Sequence, residues 1–471
     1  MSMLTDTIAA VSTPRGKGGV ALIRISGPSA AEIGRRVFRP AGAKYPDELP
    51  RRAVFGSVFF PESGENAGEF IDSCLCTFFP GPHSFSGEDT AEICCHGGVL
   101  VTRTVLEAVL AAGARQAEAG EFTRRAFAHG RISLPEAEAL GLLLEAGTDR
   151  QLKLSHSGLN GRLTGECSAL REEIVSLLTD LYARIDFPEE DLGSIPLDEV
   201  ISRTDSLICR TQKLSASYRT GKAVAEGIRT VICGRTNVGK STLYNRLTGT
   251  DDAIVTDIAG TTRDTLSSVV SFGGVTLKLA DTAGIRSDAA DKVESIGIDR
   301  ARKHLNEAEL VFFLIDGTRE PDVNDISIAN ELKEDCDRTV IALLTKADVG
   351  TVNGAAAGLW SDFTHRLKIS AADGSGIDEL AGKVSELFTD GSIDLANDPV
   401  VSSARQFDAL SRAADALNEA SSALRGGFSA DIASVCLEDA AEALAALDGR
   451  GFGAVSADVI DGIFSKFCVG K

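Results

Sequence analysis

The sequence predicts a multidomain chain: an α+β N-terminal domain, then a discontinuous all-α helical domain, with an α/β P-loop domain inserted into it. Three observations carry this. The 471 residues are too many for one hydrophobic core and imply about three domains. The texture runs from glycine-punctuated β-like segments to helical stripes, then to alternating strands and helices, then back to stripes. A phosphate-binding loop, Gly234-Arg-Thr-Asn-Val-Gly-Lys-Ser241, opens the alternating stretch between an apolar run and a helical segment. Boundaries fall at residues 1–128, 129–225, 226–390 and 391–471.

In the first stretch, Gly19 to Ile25, Phe70 to Phe79 and Glu92 to Gly98 read as strands between glycine-rich turns. In the second, Leu163, Cys167, Leu170, Ile174, Leu177, Leu181 and Ile185 recur at spacings of three and four, one stripe of a long amphipathic helix. Pro188 cannot continue that helix. The third stretch alternates strands with helices, the pattern of a parallel sheet covered by helices. After Pro399, Phe407, Leu410, Ala414, Leu417 and Leu424 form one stripe, and Ile432, Cys436, Ala440, Leu444 and Leu447 another. The likeness of the two helical stretches suggests one helical domain interrupted by an insert.

Composition narrows the class. Hydrophobic residues make up 43% and charged residues 25%, as in ordinary globular proteins. No apolar run nears the roughly 18 residues of a membrane span, and Met1 to Asp6 lacks a signal-peptide pattern, so a cytoplasmic location is expected. Most of the ten cysteines read as small buried residues, and none has the usual CxxC zinc spacing. Cys468, in the terminal Phe467-Cys-Val-Gly-Lys471, is a candidate reactive thiol. A net charge of −20 argues against sequence-independent nucleic-acid binding. Arg124, Arg125, His129 and Arg131 form the best local basic cluster.

The nucleotide motifs are ordered along the chain. Glycines let backbone N–H groups close around phosphates at a helix start; Lys240 should reach the β- and γ-phosphates, and Ser241 should bind Mg²⁺. Asp281-Thr-Ala-Gly284 ends the apolar run Val275 to Ala280, where a carboxylate can hold the magnesium shell. Between them lies Gly260-Thr-Thr-Arg-Asp264, whose Thr262 is assigned to the metal. Thr345-Lys-Ala-Asp348 follows a strand; Asp348 can accept from guanine N1–H and its exocyclic amine. Ser370-Ala371 should pack on the base. The order of these motifs identifies a GTPase with a Ras-like α/β P-loop domain. The assigned GTP contacts are Asn237, Val238, Gly239, Lys240, Ser241 and Thr242; Thr256, Asp257, Ile258, Ala259, Gly260, Thr261 and Thr262; Asp281, Thr282, Ala283 and Gly284; Thr345, Lys346, Ala347 and Asp348; and Ser370, Ala371 and Ala372. Thr345 stands where the guanine motif usually has asparagine.

Hydrolysis needs a further device. The position after the second-switch glycine is Ile285, which cannot orient water as a glutamine does. Asn237 and the oxygens of Thr256 to Thr261 could cage a monovalent cation where an arginine finger's charge would sit. Glu294 is one candidate for positioning the water.

At this point the chain resembles the MnmE (TrmE) family of tRNA-modification GTPases. The resemblance rests on Thr256 to Asp264, Val293-Glu-Ser-Ile-Gly-Ile298, Gly18 to Gly27, Ser84-Phe-Ser-Gly-Glu-Asp89, His96-Gly-Gly98 and the C-terminal Phe467 to Lys471. It implies K⁺ at Asn237, Thr256, Ile258 and Thr261, Mg²⁺ at Ser241 and Thr262, and Glu294 as the catalytic glutamate. It further implies an N-terminal folate-binding and dimerisation domain that takes formyl- or methylene-tetrahydrofolate through Arg24, Glu92, Arg131 and Lys471, with Cys468 needed for modification. Arg131 stands where the family commonly has lysine. A homodimer, an FAD-dependent MnmG partner in a heterotetramer or larger complex, and tRNA are the implied partners, with no membrane. The implied task is adding a carboxymethylaminomethyl-type group to C5 of the wobble uridine.

A ribosome-assembly switch of the Era or Der type shares the G-domain motifs. Such a protein should carry a basic RNA-binding module and lack the Cys-x-Gly-Lys end. A folate enzyme with an idle GTPase is disfavoured by the intact set of Lys240, Ser241, Thr262 and Asp281.

Overall fold

The computed structural model describes residues 6–249, 267–280, 305–349 and 353–470, apart from 15, 63–65, 187–195, 306, 335–337, 428–429 and 450–455. The chain divides into two compact units, one of residues 1–141 and 445–471, the other of residues 142–444.

The first unit is built on strands β1 (Ile8–Val11), β2 (Val20–Ser26), β3 (Phe38–Pro40), β4 (Val54–Phe59), β5 (Phe70–Phe79), β6 (Thr90–His96) and β7 (Arg115–Gln116). They form a seven-stranded sheet in the order β3-β4-β5-β6-β2-β1-β7. Alternation along each strand sorts the side chains by face. Ala21, Ile23 and Ile25 of β2 and Ile93 and Cys95 of β6 are buried in one core with helices α1 (Ala30–Val37) and α2 (Val99–Ala111). Leu22 and Arg24, with Glu92 and Cys94, point to the opposite face and are half-buried. Helix α3 (Glu121–Ala128) follows, opened by Gly120 at φ 66°, and contributes the fully buried Phe122. Helix α4 (Leu134–Glu145) then packs Leu134 and Ala137 with Phe464 and Phe467 of the C-terminal segment.

Arg125 corrects the expectation of a basic face. Its side chain is 2% exposed and bridges Asp6, Glu88 and Glu121. A cation can be buried there because several carboxylates converge on it. Arg124 is paired with Asp461 instead.

The second unit begins with helices α5 (Asp149–Leu159), α6 (Arg162–Asp186), α7 (Leu197–Ala216) and α8 (Tyr218–Ala225). The expected α6 stripe is buried from Leu163 to Leu181. The helix Ala404–Arg425, beyond the α/β segment, returns to these helices. Its Ser421 donates to Asp205 of α7 at 2.8 Å, and Phe407 stacks on Tyr218 with centroids 4.6 Å apart. In the helix Ala430–Asp448 the buried stripe starts at Ala433 and Leu437. Ile432 is 48% exposed, so the predicted stripe joins the buried face only from Ala440 onward.

The α/β segment has strands β8 (Ile228–Cys233), β9 (Ser267–Phe272), β10 (Val275–Ala280), β11 (Leu310–Asp316), β12 (Thr339–Thr345) and β13 (His365–Lys368). Their order is β13-β12-β11-β8-β10-β9, parallel except for β9. β11 is buried along its whole length, as expected for a central strand covered on both faces. The chain leaves β8 for one side and returns to the other at β11. That switch point opens a crevice at the carboxyl ends of the strands.

Candidate functional site

The phosphate loop occupies the carboxyl end of β8 and runs into helix α9 (Lys240–Thr248). Gly234 and Gly239 have φ of 136° and 110°, and Asn237 one of 62°. These left-handed residues turn successive N–H groups inward, as an anion nest requires. A Cβ on Gly234 would lie 2.6 Å from the Leu314 carbonyl, so only glycine fits against β11.

Lys240 Nζ donates to the carbonyls of Gly234 and Arg235, each at 2.6 Å. Burial lowers its pKa from the ordinary lysine value. These contacts hold the ammonium over the loop. Ser241 and Thr242 are exposed on the first turn of α9, so the Ser241 hydroxyl is accessible to a metal. Among the described residues no group of three or more His, Cys, Asp or Glu could hold a metal ion.

Arg235 anchors the loop from outside. Its guanidinium lies 3.2 Å from Asp322 and 3.6 Å from Asp325. Cys233, just before the loop, has its thiol pushed up to about 12 by burial, which makes it a packing residue rather than a nucleophile.

The guanine end is assembled by β11, β12 and the loop after β13. Thr345 is 4% exposed and donates toward the carbonyls of Val238 and Ile315. Lys346, at φ 61°, places Nζ 2.7 Å from Asp316. Burial opposes ionisation of Asp316, but hydrogen bonds from Lys346 and Thr318 keep its carboxyl below the ordinary range. Ala347 and Asp348 lie exposed on a short 3₁₀ turn, leaving the Asp348 carboxylate open to a base. The Ala347 N–H donates to the Ile369 carbonyl at 3.3 Å, and Ser370, Ala371 and Ala372 follow directly. Asp316 was not foreseen as part of this site. Its signal was a carboxylate closing an apolar run at a strand's carboxyl end.

Thr256, Asp257, Ile258, Ala259, Gly260, Thr261, Thr262, Asp281, Thr282, Ala283, Gly284 and Glu294 lie outside the described residues, as does Lys471.

In the N-terminal unit, Arg24 and Glu92 are directly opposed in the β2–β6 register. Arg24 reaches Glu92 Oε1 at 2.9 Å through both Nε and Nη2. The guanidinium also lies 4.8 Å from the Phe85 ring centroid and 5.7 Å from that of Phe122, close enough for cation–π attraction. Sequence reading missed these two rings, although Phe85 lies within the Ser84 to Asp89 motif. Arg131 is exposed, and its side chain packs beside Gly87 of the same loop.

The C-terminal tail joins this neighbourhood. Val469 forms a bridge with Ala119, Gly120 N–H approaches the Cys468 carbonyl at 3.4 Å, and Ser12 Oγ donates to the Gly470 carbonyl at 2.9 Å. A Cβ on Gly470, whose φ is 101°, would clash with the Val11 carbonyl at 2.1 Å. The tail thus lies beside β1, the strand that pairs Ala10 with Arg24. Cys468 is exposed.

Two family models match the chain: the MnmE helical domain over residues 134–468 and the GTP-binding protein TrmE N-terminus over residues 7–131. Relatives described as tRNA modification GTPase MnmE align along the full length. That of Desulforamulus reducens is 39% identical, covering 100% of both chains. That of Clostridioides difficile is 37% identical over 99% of this chain and 100% of the relative, and that of Porphyromonas gingivalis 36% over 99% and 98%. A solved variant of Aquifex aeolicus Era bound to GDP·AlF4⁻ is 26% identical over 40% of this chain and 65% of that one, with a TM-score of 0.27, too slight a likeness to bear on function. With its P-loop, guanine loop and full-length relatives, this chain belongs to the MnmE (TrmE) family of tRNA modification GTPases.

Proposed function

We propose that this GTPase hydrolyses GTP with the help of K⁺ and, with an FAD-dependent MnmG partner, adds a carboxymethylaminomethyl-type group to C5 of the wobble uridine of certain tRNAs. In this reading the G domain is an insert in the helical domain, and its cycle drives a conformational step. Mg²⁺ is held by Ser241 and Thr262. Asn237 contributes to the K⁺ cage with Thr256, Ile258 and Thr261, and Glu294 positions the water. The working form is a cytoplasmic homodimer in a larger complex with its partner.

The one-carbon unit comes from formyl- or methylene-tetrahydrofolate bound in the N-terminal unit. The observation that carries this part is the Arg24–Glu92 pair, framed by Phe85 and Phe122, with the tail docked on the neighbouring strand. The residues fit the group. Both Arg24 contacts fall on Oε1 of Glu92, which leaves Oε2 for a pterin's N–H donors. Arg24 holds Glu92 in place at the pterin end, while Arg131 and Lys471 suit the carboxylates of a glutamate tail. The rings offer apolar surface for a flat heterocycle. Tetrahydrofolate supplies the carbon when bound; the protein orients it and brings Cys468 alongside.

Calorimetric titration with 5-formyl-tetrahydrofolate tests the site. Wild type should bind, and Glu92→Gln and Arg24→Ala should each weaken binding about tenfold or more, as expected for lost charge-assisted bonds. Unchanged affinity in both variants would move the folate elsewhere.

A further inference from the structure

We infer that Thr345 makes guanine recognition indifferent to the base's N7, because its one hydroxyl hydrogen is already committed to the backbone between the two nucleotide loops. Thr345 closes β12 opposite Asp316, the last residue of β11. Its Oγ1 lies 2.9 Å from the Val238 carbonyl and 3.2 Å from the Ile315 carbonyl. Carbonyls only accept, and a hydroxyl has a single hydrogen to give. Whichever of the two receives it, none is left for a ligand.

The site of this bond gives it a role. Val238 stands between Asn237 and Gly239 in the phosphate loop and is fully buried. Thr345 therefore ties the guanine loop to the phosphate loop, fixing the frame from which Lys346 and Asp348 extend. An asparagine has two amide hydrogens. One could hold the same carbonyl and the other could donate to N7, an acceptor on the exposed edge of the purine. Adenine carries the same N7 acceptor, so its loss lowers affinity without relaxing base choice. Discrimination stays with the carboxylate of Asp348. Thr345 is a positioning residue, and the base's imidazole edge goes unread by it.

The test is displacement of a fluorescent GDP analogue from the full-length protein by GDP and by 7-deaza-GDP, in which N7 is replaced by C–H. Wild type should bind the two within about twofold of each other. Thr345→Asn should bind GDP more tightly than 7-deaza-GDP by about two- to tenfold, the worth of one neutral hydrogen bond. Thr345→Val, similar in shape but without the hydroxyl, should weaken both nucleotides by a similar common factor. Thr345→Ser should restore wild-type behaviour. A roughly fivefold or greater preference of wild type for GDP over 7-deaza-GDP, the scale of that same bond, would overturn the inference. Undiminished binding by Thr345→Val would overturn the positioning role. Native fluorescence of Trp360, the only tryptophan in the sequence, checks that each variant is folded.

Discussion

Arg150 of α5 grips the turn at Gly274: its Nη1 donates to the Gly274 carbonyl at 2.6 Å. The turn joins β9 to β10. β9 follows the first switch segment in sequence and β10 ends just before Asp281, where the second begins. A helix outside the α/β layer is thus bonded to the hairpin that connects the two switches.

Gly274 has φ 74°, and a Cβ there would lie 2.6 Å from Arg150 Cζ. Gly274→Ala should therefore destabilise the α/β layer by more than about 1 kcal/mol, through backbone strain and displacement of the Arg150 guanidinium from its hydrogen bond. In an Arg150→Ala background the same change should cost less, since that hydrogen bond is already gone and only the strain remains. Urea unfolding followed by Trp360 fluorescence measures both arms. Additive effects would mean that Arg150 does not bear on the turn.

Arg125 should matter to stability far more than its neighbour. Arg125→Ala removes the cation paired with Glu88, which is 8% exposed, and leaves Glu121, 6% exposed, to Arg115 alone, and should cost about 3–5 kcal/mol. Arg124→Ala breaks an exposed pair with Asp461, worth about 0–1 kcal/mol. Thermal unfolding of the two variants gives the comparison, and equal losses would contradict it.

The same network sets an acid limit. Burial opposes ionisation of Glu121 and Asp6, yet hydrogen bonds from Arg115 and Arg125 hold both below their ordinary values of 4.5 and 3.8. A depressed carboxylate stabilises the fold fully above its unfolded pKa and loses that contribution as pH falls through its folded pKa. Stability of the N-terminal unit should therefore decline below about pH 4.5, and Arg125→Ala should flatten that decline. A pH series of unfolding midpoints is the measurement; an unchanged slope in the variant would contradict the assignment.

Hydrolysis tests the proposed cation cage and the proposed role of Glu294 together. The rate should be roughly a hundredfold or more higher in K⁺ than in Na⁺, the scale of one charge-stabilising group. Glu294→Ala should leave GTP affinity near normal while hydrolysis falls. Single-turnover rates in the two salts decide it, and equal rates would discard the cage.

What could be read from sequence was whatever depends on local spacing. The stripe from Leu163 to Leu181, the strand from Phe70 to Phe79 and the turn at Gly234 follow from periodicity and glycine alone. The tail's docking on Ser12 was not legible, because it joins residues 458 positions apart. Arg125 was misread for a related reason. Its burial depends on Asp6 and Glu88 arriving from distant strand ends, which no window around Arg124 to Arg131 contains. Ile432 was assigned to the wrong face because alanines, which carry much of that helix's buried stripe, give a weak hydrophobic signal. At the nucleotide site the motifs located the loops, whereas Thr345's bond to Val238 and Arg150's to Gly274 needed the fold.

The central claim is best tested on tRNA itself. Nucleosides from cells with and without the gene, re-expressing wild type or Cys468→Ser, are resolved by mass spectrometry. The account predicts that deletion removes the C5 modification of the wobble uridine and that wild type, but not Cys468→Ser, restores it. Unchanged nucleosides after deletion would contradict it.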